Sequence, residues 1–315
     1  MSTCEKSTTI PSDCIANVFG QFDSNIKKIE RHLAVTMVLR DTELKVMGEE
    51  ANVDKTIEVI HSLVALARRG NTITEQNVNY ALSLSAEHHS DTVVELDKDI
   101  ICHTVNGKPV KAKTIGQKQY LNAIDKNMIV FGVGPAGTGK TYLAMAKAIT
   151  AFKNDEVNRI ILTRPAIEAG EKLGFLPGDL KDKLDPYLQP LYDALGDMIP
   201  PKKLQEFIAD GTIQIAPLAY MRGRTLDRAC VILDEAQNTN LGQLKMFLTR
   251  MGRDAKFIVT GDASQVDLPN KSDSGLLRGM KLVEGIKGIA CITFTNADIV
   301  RHPLVTKIVK AFDGE

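Results

Sequence analysis

Met128–Ile149, MIVFGVGPAGTGKTYLAMAKAI, decides how the rest of this 315-residue chain is read. A short continuous apolar run, MIVFGV, enters Gly134, Pro135, Ala136, Gly137, Thr138, Gly139, Lys140 and Thr141, and a helical pattern follows. The eight residues match G-x-x-x-x-G-K-[ST] in full, in the strand–loop–helix context the motif requires. Phosphate oxygens need several backbone N–H donors converging on a concave surface, and glycines keep side chains out of that approach. The spacing predicts that Lys140 reaches the β- and γ-phosphates and that the Thr141 hydroxyl faces Mg²⁺. The helix N-terminus adds a favourable partial positive charge.

Downstream, further short apolar runs alternate with helical stretches: RIILT, TIQIA, CVILD, KFIVT and ACITFT. Such runs suit strands buried on both faces, so the expectation is an α/β fold, a parallel sheet of the P-loop NTPase (RecA-like) kind. CVILDEAQ ends its strand at Asp234 and Glu235. Asp234 is placed to hold Mg²⁺ through water, and Glu235 to orient and deprotonate the water that attacks a γ-phosphate. KFIVTGDASQVD brings Gly261, Asp262 and Gln265 to the same carboxyl edge, with Gln265 a candidate γ-phosphate sensor. Upstream, Gln117 and Tyr120 in TIGQKQYLNAI sit where an adenine-reading amide would be useful.

In front of this region, a helix through NIKKIERHL, strands TMVLR and ELKVMG, and a helix through VDKTIEVIHSLVALARR form an α-β-β-α unit. Residues 1–14 read as a flexible N-terminus, 15–86 as a small α+β domain, 87–113 as a linker with a hairpin at Asn106-Gly107, and 114–315 as the P-loop domain. Lys+Arg and Asp+Glu both number 39, so nucleic acid would have to be held by local patches, not by a net field. No apolar run approaches the ~20 residues of a membrane span, and the polar first dozen residues carry no leader, which predicts a cytoplasmic protein. The five cysteines form no CxxC pair, which argues against a disulfide framework or a zinc site.

Taken in order, GQKQY, GPAGTGKT, LTRPAIEAGEKLGFLPGDL, YMRGRTL, VILDEAQN, TGDASQVDLP and VRHPLV resemble the PhoH family, specifically the stand-alone bacterial PhoH-like ATPases. That family is similar to the first motor domain of superfamily 1 helicases. The resemblance implies ATP and Mg²⁺ as ligands, a role in RNA metabolism, an association with an endoribonuclease that matures ribosomal RNA, and a link with phosphate starvation. The front domain resembles a KH-like module, whose G-x-x-G loop clamps nucleic acid. Here Gly20-Gln21-Phe22-Asp23 has no second glycine, which leaves RNA contact and a structural or protein-contact role both open.

A superfamily 1 helicase closes its site with a second motor domain, for which this chain has no length. The expectation is therefore a homo-oligomeric ring in which a neighbouring copy supplies an arginine. Arg301 is the first candidate for this finger, with Arg222 and Arg224 as alternatives that could instead bind RNA; Thr163 and Arg164 are candidates for nucleic-acid contact or relay. Two other functions compete with an ATP-driven motor. One is a nucleotide-gated adaptor that turns over slowly, and the other is a GTPase, because Asn270-Lys271-Ser272-Asp273 matches N-K-x-D.

Overall fold

The computed structural model describes residues 3–85, 99–165 and 180–300, with residues 304, 305, 308 and 311 beyond them. Contacts divide the chain into two units: 1–99 with 113–115 and 301–315, and 100–112 with 116–300.

The first unit opens with strand β1 (Thr3–Thr9), followed by helices α1 (Ser12–Phe19) and α2 (Ser24–Leu33), strands β2 (Thr36–Arg40) and β3 (Glu43–Glu49), and helices α3 (Glu50–Arg68) and α4 (Glu75–Ser85). The α-β-β-α centre is as expected, but the flexible N-terminus is not found. Residues Thr3–Thr9 pair antiparallel with β3 from Thr3↔Glu49 to Thr9↔Glu43, giving the sheet order β1-β3-β2. The strand is polar, so its stability comes from the ladder and not from an apolar face. The predicted boundary at residue 15 accordingly falls inside α1. Ile10, Val18, Ile29, Leu44, Val46, Val53, Ile60, Leu63 and Val78 are fully buried in the core of this unit.

The second unit begins with a hairpin of β4 (Ile100–His103) and β5 (Pro109–Lys111). The hairpin lies at the expected turn and groups with the second unit, while residues 87–98 of the expected linker lie outside the described residues. The Thr150 hydroxyl donates to the carbonyl of Ile101 at 3.1 Å, and the Val105 amide to the carbonyl of Asp197 at 2.7 Å, which fastens the hairpin to the rest of the second unit. Then come α5 (Ile115–Lys126), β6 (Ile129–Val133), α6 (Lys140–Lys153), β7 (Arg159–Arg164), α7 (Leu180–Met198), α8 (Pro201–Ala209), β8 (Ile213–Pro217), β9 (Ala229–Leu233), α9 (Leu241–Leu248), β10 (Lys256–Gly261), α10 (Leu276–Val283) and β11 (Ile289–Thr293). Most of residues 301–315, the end of the expected 114–315 domain, lie outside the described residues.

All neighbours in the six-stranded sheet are parallel, in the order β11-β6-β10-β9-β7-β8. Its inner strands are the continuous apolar runs of the sequence. Every residue of β9 is buried, whereas edge strands β8 and β11 are only partly so. The order seats β10 between β6 and β9. The phosphate loop, the acid pair and the G-D-x-x-Q segment therefore emerge from three adjacent strands at one edge.

Tyr120, beside Gln117 in the sequence motif, is a core residue. It is fully buried, edge-on to Phe294 with ring centroids 5.3 Å apart, and a Cβ at Gly132 would lie 2.6 Å from its ring. Its hydroxyl has no hydrogen-bond partner among the described residues. A buried, unsatisfied hydroxyl costs about 1–3 kcal/mol. Tyr120→Phe is thus expected to leave the denaturation midpoint unchanged or raise it; a clearly lower midpoint would mean that the hydroxyl is satisfied after all.

Candidate active site

A cleft of about 270 Å³ at the carboxyl edge of the sheet is lined by Ala136, Gly137, Gly139, Lys140, Thr141, Tyr142, Asp234, Glu235, Gly261, Asp262 and Gln265. Of the positions that the sequence marked for the loop, acid pair and sensor, Gly134, Pro135 and Thr138 do not line it. Gly134 sits at φ 153, and a Cβ there would lie 2.5 Å from the Phe294 carbonyl oxygen, so the loop's first residue must lack a side chain. Thr138 is fully buried, its hydroxyl donating to the carbonyl of Pro135 at 2.9 Å.

Gln117, expected at the adenine, is buried beneath the loop. Its Nε2 donates to the carbonyl of Thr138 at 3.0 Å, which braces the loop backbone. Lys140 Nζ donates to the carbonyls of Gly134 and Pro135, both at 2.7 Å, and to the Thr138 hydroxyl at 3.2 Å. The ammonium thereby lies in the concavity of its own loop, one swing from an incoming phosphate.

Thr141 and Asp234, expected from the sequence to face Mg²⁺, lie in direct contact. The Thr141 hydroxyl donates to Asp234 Oδ1 at 2.6 Å, and Thr260 donates to the same oxygen at 2.7 Å. On the other oxygen, Arg164 donates from Nε at 2.8 Å and from its terminal nitrogen at 2.6 Å, and that nitrogen also lies 3.9 Å from Glu235. The Asp234 side chain is only 4% exposed.

Glu235 adopts left-handed backbone geometry at φ 54 and ψ 40. For a non-glycine residue this costs about 1–3 kcal/mol and persists where the surroundings over-determine it, as at functional sites. Gln237 does so here. Its Nε2 donates to Glu235 Oε2 at 2.6 Å while its Oε1 accepts from the Asp262 amide at 3.0 Å, linking the base candidate to the end of β10. Burial, and then the charge of Asp234, push the Glu235 carboxyl above the ordinary glutamate range, against the opposing effects of Gln237, Arg164 and Lys140. Asp262 ties the third strand to the loop by accepting from the Ala136 amide at 2.9 Å, and the Gln265 amide donates back to the Asp262 carbonyl at 3.0 Å. Gln265 is exposed at the cleft rim.

Sequence reasoning did not single out Gln237, Thr260 or Tyr142. Gln237 stood in the quoted VILDEAQN, and only the three-dimensional neighbourhood reveals its bridge. Of the arginines, Arg301 lies outside the described residues. Arg222 is exposed, and Arg224 donates to Gln214 Oε1 at 2.7 Å; neither lines the cleft. Thr163 is fully buried behind the sheet edge, its carbonyl accepting from the Asp234 amide at 2.9 Å. The LGFLPG segment lies outside the described residues. Asn270–Asp273 sits on a 3-10 turn away from the cleft and does not end a buried strand, which removes the geometric basis for a guanine-reading motif.

In the first unit, the Gly20–Asp23 loop joins α1 to α2, the place a clamp loop occupies in a KH-like module. Phe22 is 90% exposed at φ 54, Asp23 follows at φ 58, and Lys27 Nζ donates to the Phe22 carbonyl at 2.9 Å. No helix among the described residues is long and apolar enough to cross a membrane.

This geometry can be set beside known proteins. Among solved structures, the chain is similar to the Sulfolobus solfataricus SWI2/SNF2 ATPase core in complex with dsDNA, at 15% identity over 62% of this chain and 50% of that one. The TM-score is 0.34. Sequence similarity is far stronger. A PhoH-like protein of Bacillus subtilis is 48% identical over 299 residues, covering 95% of this chain and 94% of its relative. Protein PhoH of Escherichia coli K12 is 43% identical over 206 residues, 65% of this chain and 58% of the relative. The family model for PhoH-like proteins matches residues 109–313, the stretch that contains the whole cleft, and the chain belongs to that family.

Proposed function

We propose that the protein hydrolyses ATP with Mg²⁺ and couples turnover to RNA metabolism. The observation that carries the hydrolysis is the Gln237 bridge. It holds a strained, half-buried Glu235 in the same cleft as the phosphate lysine and the Thr141–Asp234 pair. A binding-only cleft has no need of a carboxylate kept in an unfavourable backbone conformation.

Thr141 and Asp234 suit a hard divalent cation, being a hydroxyl and a carboxylate in direct contact. They would hold Mg²⁺, which when bound neutralises phosphate charge. Lys140 then binds the β- and γ-phosphate oxygens, Gln265 reports the γ-phosphate at the rim, and Glu235 orients the attacking water and accepts its proton. An arginine from a neighbouring copy in a homo-oligomeric ring, with Arg301 the first candidate, would stabilise the transition-state charge.

RNA enters through the family and through the front module, where the exposed Phe22 offers a stacking surface for a base. An endoribonuclease is the proposed protein partner. The test is phosphate release from ATP and GTP, with and without single-stranded RNA. The expected result is ATP-selective turnover that RNA raises. Tight ATP binding with turnover no higher than in Glu235→Gln would overturn hydrolysis and leave a nucleotide-gated adaptor.

A further inference from the structure

Asp234 is saturated. An ionised carboxylate offers roughly four lone-pair sites, and four donors fill them: the hydroxyls of Thr141 and Thr260 on Oδ1, and two nitrogens of Arg164 on Oδ2. A divalent cation, or the water it carries, cannot reach this carboxylate unless one donor leaves.

The three side chains differ in their freedom to do so. Thr260 is fully buried on the central strand β10. Thr141 can go on donating its proton to Asp234 while its oxygen lone pair faces a cation. Arg164 stands at the end of β7 on a long side chain that is 18% exposed, and it is the only one of the three that an arriving cation repels. The same guanidinium lies 3.9 Å from Glu235, so it also serves the second acid while Lys140 is engaged with its own loop.

We propose that Arg164 is a positioning residue that acts as a displaceable stand-in for the metal. It holds Asp234 in place while the cation is away, and it must release Oδ2 for the cation to bind. Metal binding and guanidinium release are then a single exchange, and Arg164 sets how much divalent cation the site demands. By linkage, whatever captures the freed guanidinium tightens metal binding by the same factor. The inference rests on the assignment of Asp234 as the metal carboxylate.

The experiment titrates the full-length protein with Mn²⁺ alone and follows the free ion by electron paramagnetic resonance, comparing wild type with Arg164→Gln, Arg164→Lys and Asp234→Asn. Arg164→Gln is expected to bring half-saturation to about tenfold lower Mn²⁺, the worth of a charge-assisted hydrogen bond no longer competing. Arg164→Lys, which loses the planar fork and keeps the charge, should fall between it and wild type. Mn²⁺ should also raise the melting temperature of Arg164→Gln more than that of wild type. A merely structural arginine would give weaker metal binding on removal, and an unchanged or higher half-saturation in both arginine variants overturns the proposal. If Arg164→Gln does not fold, the direction of the Arg164→Lys shift decides alone. Mn²⁺ binding that survives Asp234→Asn would overturn the metal assignment and the exchange together, whereas its loss there with no shift in the arginine variants overturns only the exchange.

Discussion

Glu235→Gln is expected to lower ATP turnover by about 10²- to 10⁴-fold while nucleotide binding survives, because the amide keeps the shape of the base and cannot accept a proton. The bridge from Gln237 makes the result specific. Gln237 donates to Glu235 Oε2, and a glutamine at 235 can still accept that bond through its own carbonyl, so the backbone at φ 54 need not relax. The pH profile carries a second signature. Because burial and Asp234 raise the Glu235 pKa, the acid limb of the wild-type rate should lie at higher pH than an ordinary glutamate would give, and the residual rate of Glu235→Gln should lack that limb. For stability the sign is opposite to the usual carboxylate case. Folding favours protonated Glu235, so its contribution is fully present below the unfolded glutamate value and is lost as pH rises through the raised folded one. Steady-state phosphate release across pH, with nucleotide binding measured alongside, checks both statements. Turnover within a few-fold of wild type would remove Glu235 from the chemistry.

The second large effect is on stability. Asp234→Asn should lower the free energy of unfolding by about 2–3 kcal/mol, toward the low end for breaking a buried ion pair because Arg164 keeps partial access to water. Four donors converge on two carboxylate oxygens, and asparagine presents one oxygen and one NH₂. The hydroxyls of Thr141 and Thr260 can turn to accept from the amide, which leaves the asparagine oxygen to Arg164, but the guanidinium loses its counter-charge. Urea denaturation should show a lower midpoint at unchanged slope. Adding Arg164→Gln to Asp234→Asn should recover part of the loss, since the stranded cation is then gone. An unchanged midpoint in Asp234→Asn would show that the pair contributes nothing to the fold.

The phosphate loop, the acid pair and the parallel sheet could be read from sequence because each rests on local chemistry at fixed spacing. Glycines clear the approach of phosphate, a buried strand ends in carboxylates, and apolar runs mark strands covered on both faces. What escaped depends on partners distant in the chain. Strand β1 has no apolar face to announce it and exists through its register with β3. Gln117 was expected near the adenine, yet its bond to the Thr138 carbonyl, 21 residues away, is a matter of packing. Tyr120 fell to the core because Gly132 opens a space for its ring on the neighbouring strand. The hairpin at Asn106-Gly107 was plain from its turn residues, whereas its attachment to the Thr150 hydroxyl was not.

The amide of Val300 donates to the carbonyl of Gly137 at 2.9 Å, so the apex of the phosphate loop and the Val300 backbone are one mechanical element. Gly137 lines the cleft, and a ligand that turns its peptide must either drag Val300 along or break the bond. That single proton is therefore an unlabelled gauge of loop state: its exchange with solvent deuterium would slow or quicken with occupancy, and could be followed in the intact protein without a dye or a substitution.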